Sequence, residues 1–144
     1  MASFLFDIIR INIMGEDTHA FVDLDDDLLG MFFVDEADDT PNQTTDQDVA
    51  DRLAASQVPS FATAPNLVNS AVTAVTNRGV LDADDLTFPL LSGDPSESID
   101  LWKDTGTDTT SVLIANLDDY TGLPITPSGG DVVIQFHVNG IIRI

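Results

Sequence analysis

The chain has 144 residues with 25 acidic side chains, only three of them glutamate, against five basic ones, for a formal net charge of −20. Its 43% hydrophobic content excludes an acidic disordered tail, which needs a shortage of apolar residues as well as high charge. The absence of cysteine excludes a disulfide framework, thiolate nucleophiles and cysteine-ligated metals.

A folded domain of this composition wears a surface made almost wholly of carboxylates. Self-repulsion destabilises such a compact state at low salt, and the screening length of roughly 3 Å at 1 M salt relieves it. The composition therefore predicts adaptation to very high salt, as in a halophile. Nucleic acid and anionic membrane both repel this surface and are not expected partners. No apolar run approaches the ~20 residues of a membrane span. The N-terminus carries Asp7 early and lacks a basic region, so no signal peptide is expected.

Taken in chain order, residues 3–15 carry Leu5, Phe6, Ile8, Ile9, Ile11 and Ile13. These fit a helical stripe loosely, while the isoleucines suit a strand. Ser3 as N-cap and Gly15 as a stop favour the helix. The apolar run from Leu28 to Val34 ends at Asp35 and reads as a buried strand. Residues 37–48 have loop composition. Asp46 to Ser56 reads as a short helix, with acids at the N-terminal end that the helix dipole favours. From residue 66 the period changes to two. Residues 66–77 alternate as a strand, Asn77-Arg78-Gly79 is a turn signal, and a second strand follows. Pro89 and Gly93-Asp94-Pro95 interrupt the chain before a strand near Ser98–Asp104. Thr105–Thr110 is a turn, and Ser111–Asp118 is strand-like. Residues 121–131 form a long polar excursion, and 131–144 supply a final strand or two broken at Asn139-Gly140.

Strands every 10–15 residues with turn residues between them predict a mainly β fold. The expected architecture is an antiparallel β-sandwich or barrel-like domain with one or two short helices in the N-terminal third. The length fits a single domain, 1–144. Its helix, strand and loop portion, 1–65, is expected to pack on a β portion, 66–144.

Asp23, Asp25 and Asp27, with Asp26 between them, are closely spaced carboxylates of the kind a hard cation prefers. They form a candidate site for Ca²⁺, Mg²⁺ or K⁺. The glycine and distal glutamate of an EF-hand loop are missing, and acids recur at Asp38-Asp39, Asp84-Asp85 and Asp118-Asp119. Solvated acidic surface is the competing reading, and no resident cofactor is expected. His19 and His137 are the two histidines, in different segments. His137 reads as part of an alternating strand, its imidazole on the strand's other face or at a subunit contact. There is no GxSxG, HExxH or glycine-rich phosphate loop, and the chain is not expected to be an enzyme. Carboxylate pairs are too abundant for any two to signal a glycosidase. Phe32, Phe33, Phe88, Trp102 and Phe136 are the apolar residues from which core or interface anchors would be drawn. Lys103, the sole lysine, is expected to pair with a carboxylate.

The C-terminal half carries an ordered series of turn signatures: Asp-Ala-Asp-Asp-x-Thr-Phe-Pro at Asp82–Pro89, Trp-Lys-Asp-Thr-Gly at Trp102–Gly106, Thr-Gly-Leu-Pro-x-Thr-Pro-x-Gly-Gly-Asp at Thr121–Asp131, and a closing strand at Gly140–Ile144. This series resembles a family of small virion structural proteins of tailed viruses, in a form similar to those of haloarchaeal tailed viruses. The match covers a little under half of the chain. Family members start with a short helix and then a strand, here Gly30–Asp35, which tips residues 3–15 toward helix. This chain departs from the pattern by losing the family's lysines apart from Lys103. Independently of any family, Pro89, Gly106, Pro124, Pro127, Gly129 and Gly130 fix sharp turns, and Asp104 and Asp131 are expected to accept hydrogen bonds from turn amides.

The resemblance implies a virion structural protein, made in the host cytoplasm and located in the particle. A capsid-surface decoration or turret-type role, by docking onto the major capsid protein, is the first expectation. A tail, baseplate or neck component, docking onto tail proteins, is the alternative. A homo-oligomer, with a trimer as the common case on capsids, is the expected assembly. A glycan- or cation-binding module using Asp23–Asp27 is the reading from a different class. Any contact is to be sought where the acids are missing.

Overall fold

A computed structural model describes residues 2–13 and 22–144. The centre of the fold is the strand that the apolar run dictates: β2, Leu29–Val34, has all six residues buried. A strand covered on both faces needs a layer on each side, and the rest of the chain supplies them. The five-stranded antiparallel sheet around β2 has the order β1-β8-β7-β2-β3, where β1 is Phe4–Leu5, β3 Gln57–Val58, β7 Ser98–Lys103 and β8 Leu113–Leu117. Pairing of β2 with β7 runs from Leu29↔Lys103 to Val34↔Ser98, so the 1–65 and 66–144 portions share one sheet. A three-stranded sheet has the order β10-β5-β4, with β4 Ala71–Val75, β5 Arg78–Asp82 and β10 Ile142–Arg143. A two-stranded sheet joins β6, Leu86–Phe88, to β9, Val132–Ile134. The fold is mainly β and sandwich-like, with all strand pairs antiparallel.

In an antiparallel ladder directly paired residues point to the same face. Gly30, Phe32 and Val34 therefore share a face with Trp102, Asp100 and Ser98. The segment 46–67 runs over this face, with the Phe61 ring 4.8 Å from Trp102. Gly30 is required there: a Cβ would collide with the Trp102 ring and come within 2.8 Å of Asn66 Oδ1. On the opposite face Phe33 packs on Phe88, ring centroids 4.8 Å apart.

The helix α1 spans Asp7–Ile13. Ser3 does not cap it. Phe4–Leu5 pairs with β8 first, and Ser3 Oγ instead accepts from the Asp118 and Asp119 amides at 2.9 and 3.2 Å. Gly15 and His19 lie outside the described residues. Asp46–Ser56 is not one helix but two 3-10 turns, Val49–Asp51 and Ala54–Ser56, with Arg52 extended between them. The acids there do cap: Asp48 and Asp51 form a reciprocal capping box. The helix stops because Arg52 is drawn into the core. The predicted hairpin is present, with Thr76 and Asn77, both at positive φ, as its loop. Arg78 belongs to β5 rather than to the turn. His137 is not in a strand either, since β9 ends at Ile134 and His137 is an exposed loop residue.

Candidate functional site

The Asp23–Asp27 run folds as a turn that consumes its own carboxylates. Asp27 Oδ2 accepts from the Asp23 amide at 2.7 Å, and Asp23 Oδ1 accepts from the Asp25 amide at 3.1 Å. Asp25 Oδ1 reaches across to accept from Val72 N at 2.8 Å. Asp27 also holds the Lys103 ammonium at 2.9 Å, which gives the sole lysine its carboxylate partner. Asp23, Asp25 and Asp27 do not bring ligand oxygens to one point. Among the described residues the set that does is Asp35, Asp38 and Asp94, with oxygens within 4.8 Å of one another. Asp35 Oδ1 there already accepts from Ala37 N at 2.9 Å.

The five aromatic candidates divide clearly. Phe32, Phe33, Phe88 and Trp102 are at most 2% exposed. They are core and present no surface to a partner, because the sandwich needs its largest apolar side chains between its layers. Phe136 is half-buried against that core, and its amide donates to Asp85 Oδ1 at 3.0 Å.

Sequence reasoning missed a buried charge cluster on the β7–β8 face. Asp100, fully buried, accepts from Arg52 Nε at 2.6 Å and from Asn116 Nδ2 at 2.9 Å. Asn116 Nδ2 also reaches Ser98 Oγ at 3.0 Å. Arg52 Nη1 donates to Asp46, and the guanidinium lies 5.5 Å from the Phe6 ring centroid. Burial pushes the Asp100 carboxyl above the ordinary aspartate range, against the pull of the Arg52 guanidinium and the Asn116 amide. Burial also works against the Arg52 charge, but Asp100 and then Asp46 outweigh it and hold that group above the ordinary arginine value. The three groups together carry one net negative charge when ionised, which a proton on Asp100 would cancel. The signal was present in the sequence: an aspartate amid the apolar run Ile99, Leu101 and Trp102. Arg52, Asp100 and Asn116 are all buried, so the cluster joins the 46–67 segment to β7 and β8 beneath the surface.

Two of the open cavities border residues named above. One, of about 470 Å³, is lined by Tyr120, Gln135, Phe136 and His137 among others. The Tyr120 hydroxyl donates to the Gln135 carbonyl. Burial, and then the nearby Asp85 charge, raise its pKa above the ordinary tyrosine value. His137 Nδ1 accepts from Asn139 N at 3.1 Å. The other, of about 390 Å³, is apolar, lined by Leu5, Ile9, Val72, Ile114, Ile142 and Ile144, with Asp23 and Asp25 at its rim.

The acids of the C-terminal turn signatures hold loops together. Asp104 accepts from Gly106 N at 2.8 Å and from Asn66 Nδ2 at 2.9 Å. Asp131 accepts from Leu90 N at 2.9 Å, and Asp84 from Asn69 Nδ2 at 2.7 Å. The expected acceptor role of Asp104 and Asp131 is what these bonds display. Among the described residues no helix is long and apolar enough to cross a membrane. Neither a protein-family model nor a curated protein matches the chain.

Proposed function

We propose that this chain is a virion structural protein of a tailed virus of a halophile. It sits on the capsid surface as a decoration or turret-type protein and acts by protein–protein docking. The observation that carries this reading is the series of turn signatures from Asp82 to Asp131. Their carboxylates Asp84, Asp85, Asp104 and Asp131 brace loops against neighbouring segments instead of converging on a cavity. Braced loops on a filled sandwich suit a rigid module whose work is to keep its shape. The excess of aspartate is the adaptation that keeps the module hydrated at high salt.

The test is quantitative mass spectrometry of tailed particles purified from a hypersaline host that encodes the chain. Hundreds of copies per particle are expected for a capsid-surface protein. A few copies would move it to the tail, baseplate or neck. Its absence from purified particles would sink the virion reading altogether.

A further inference from the structure

One residue in six of this chain is acidic, 25 of 144, yet the thirty residues from Arg52 to Leu81 contain none. That stretch includes the β4–β5 hairpin, whose strand β4 is exposed along all five residues and ends its sheet. The third strand, β10, belongs to a second acid-free run, from Val132 to Ile144. The three-stranded sheet therefore bears one carboxylate, Asp82, at its far end.

The register sorts its two faces. Val72, Leu81 and Ile142 align across the three strands, and Val72 and Ile142 line the apolar cavity beside Ile114 of the five-stranded sheet. That face looks inward. On the other, Thr73 aligns with Val80 and Arg143, and Val75 with Arg78. Val80 is 6% exposed beneath Gly140, and Arg143 Nε donates to the Asn139 carbonyl at 2.6 Å, so the open part of this face is Thr73, Val75 and the two arginines. Residues two apart on a strand share a face, so Arg78 and Arg143 stand together on the outward side. Both arginines are exposed, as is Val75 at 51%.

The other three cations are spent within the chain: Arg10 on Asp7, Arg52 on Asp46 and Asp100, Lys103 on Asp27. Among the described residues Arg78 and Arg143 have no carboxylate partner, although carboxylates outnumber cations five to one. An arginine fork matches a carboxylate bidentately and is weakly hydrated, which makes it suited to interface ion pairs.

We infer that the outward face of the β4–β5–β10 sheet, centred on Arg78 and Arg143, docks onto the carboxylate-bearing surface of a second copy of this chain. Charge complementarity selects that occupant, since the acid-rich parts of the molecule's own surface are the counterpart of the face. Two copies meeting through their acid-rich faces would bring carboxylates against carboxylates. Basic face on acidic face is a heterologous contact, and such contacts close into rings or propagate. Molar salt removes the long-range repulsion between copies and leaves pairs at contact distance. This inference does not depend on the virion reading.

Sedimentation velocity in 2 M KCl, from low micromolar to a few hundred micromolar protein, tests it. The wild-type chain is expected above its 15.5 kDa monomer mass, and R78E/R143E is expected as monomer with at least tenfold weaker association. Trp102 fluorescence and the melting temperature should stay unchanged. T73E, which places one carboxylate on the same face without touching either arginine, is expected to weaken association as well, and R78K/R143K to retain part of it. A wild-type chain that remains monomeric throughout would overturn the inference, leaving the face to a different acidic protein. A folded R78E/R143E variant with wild-type mass would overturn it equally.

Discussion

Arg52→Met is the most incisive perturbation of this fold. Asp100 is fully buried, and its strongest partner is Arg52 Nε at 2.6 Å. Removing the guanidinium leaves a buried carboxylate held by the Asn116 amide alone, and such unpairing costs about 3–5 kcal/mol. Asp100→Asn is milder, because Arg52 keeps Asp46; losing one charged hydrogen bond costs about 1.5–3 kcal/mol. The double variant R52M/D100N removes both charges and keeps an amide beside Asn116, so it should be more stable than R52M alone. Urea unfolding in 2 M KCl measures all three, with Trp102 as reporter, since it is the sole tryptophan and 1% exposed. At a slope of about 2 kcal/mol/M, R52M lowers the midpoint by roughly 2 M.

The pH dependence has a fixed sign. The folded chain binds the Asp100 proton more tightly than the unfolded chain. This group's contribution is therefore greatest below the ordinary aspartate value of about 3.9 and is lost as pH rises through the raised folded value. The R52M deficit should shrink as pH is lowered from 7, and D100N should abolish that part of the slope. An R52M variant within about 1 kcal/mol of wild type, or a double variant less stable than R52M, would refute the reasoning.

Gly30→Ala should destabilise by about 1–3 kcal/mol, the cost of overpacking, because its Cβ meets the Trp102 ring; a wild-type midpoint would show that the ring has room to move. Lowering salt below about 0.5 M, where screening weakens, should reduce the melting temperature; a temperature constant from dilute to multimolar salt would remove the halophilic reading. Calorimetry with Ca²⁺ and Mg²⁺ in molar KCl should give no saturable heat at Asp23, Asp25 and Asp27, whose oxygens already serve the Asp23, Asp25 and Val72 amides and Lys103. A saturable heat abolished by D25N would restore that site.

What was legible in the sequence followed from local chemistry. Alternation from residue 66, the all-apolar run ending at Asp35 and the turn residues between runs determine a mainly β, antiparallel fold, because side-chain period and turn geometry are short-range properties. The charge, too, predicts its solvent without any coordinates. What the sequence left open depended on distant partners. Helical spacing over 46–56 yielded to Arg52, whose counter-ion Asp100 lies 48 residues away, because tertiary pairing overrides weak propensity. Phe32, Phe33, Phe88 and Trp102 look alike as core or interface until the layers close over them. The acidic run at Asp23–Asp27 resembles a ligand set only until Val72 and Lys103 claim its oxygens. Arg78 and Arg143, 65 positions apart in the chain, become neighbours on one face only when β10 pairs with β5. Strand register, which no local pattern encodes across such separations, decides which charges stand together.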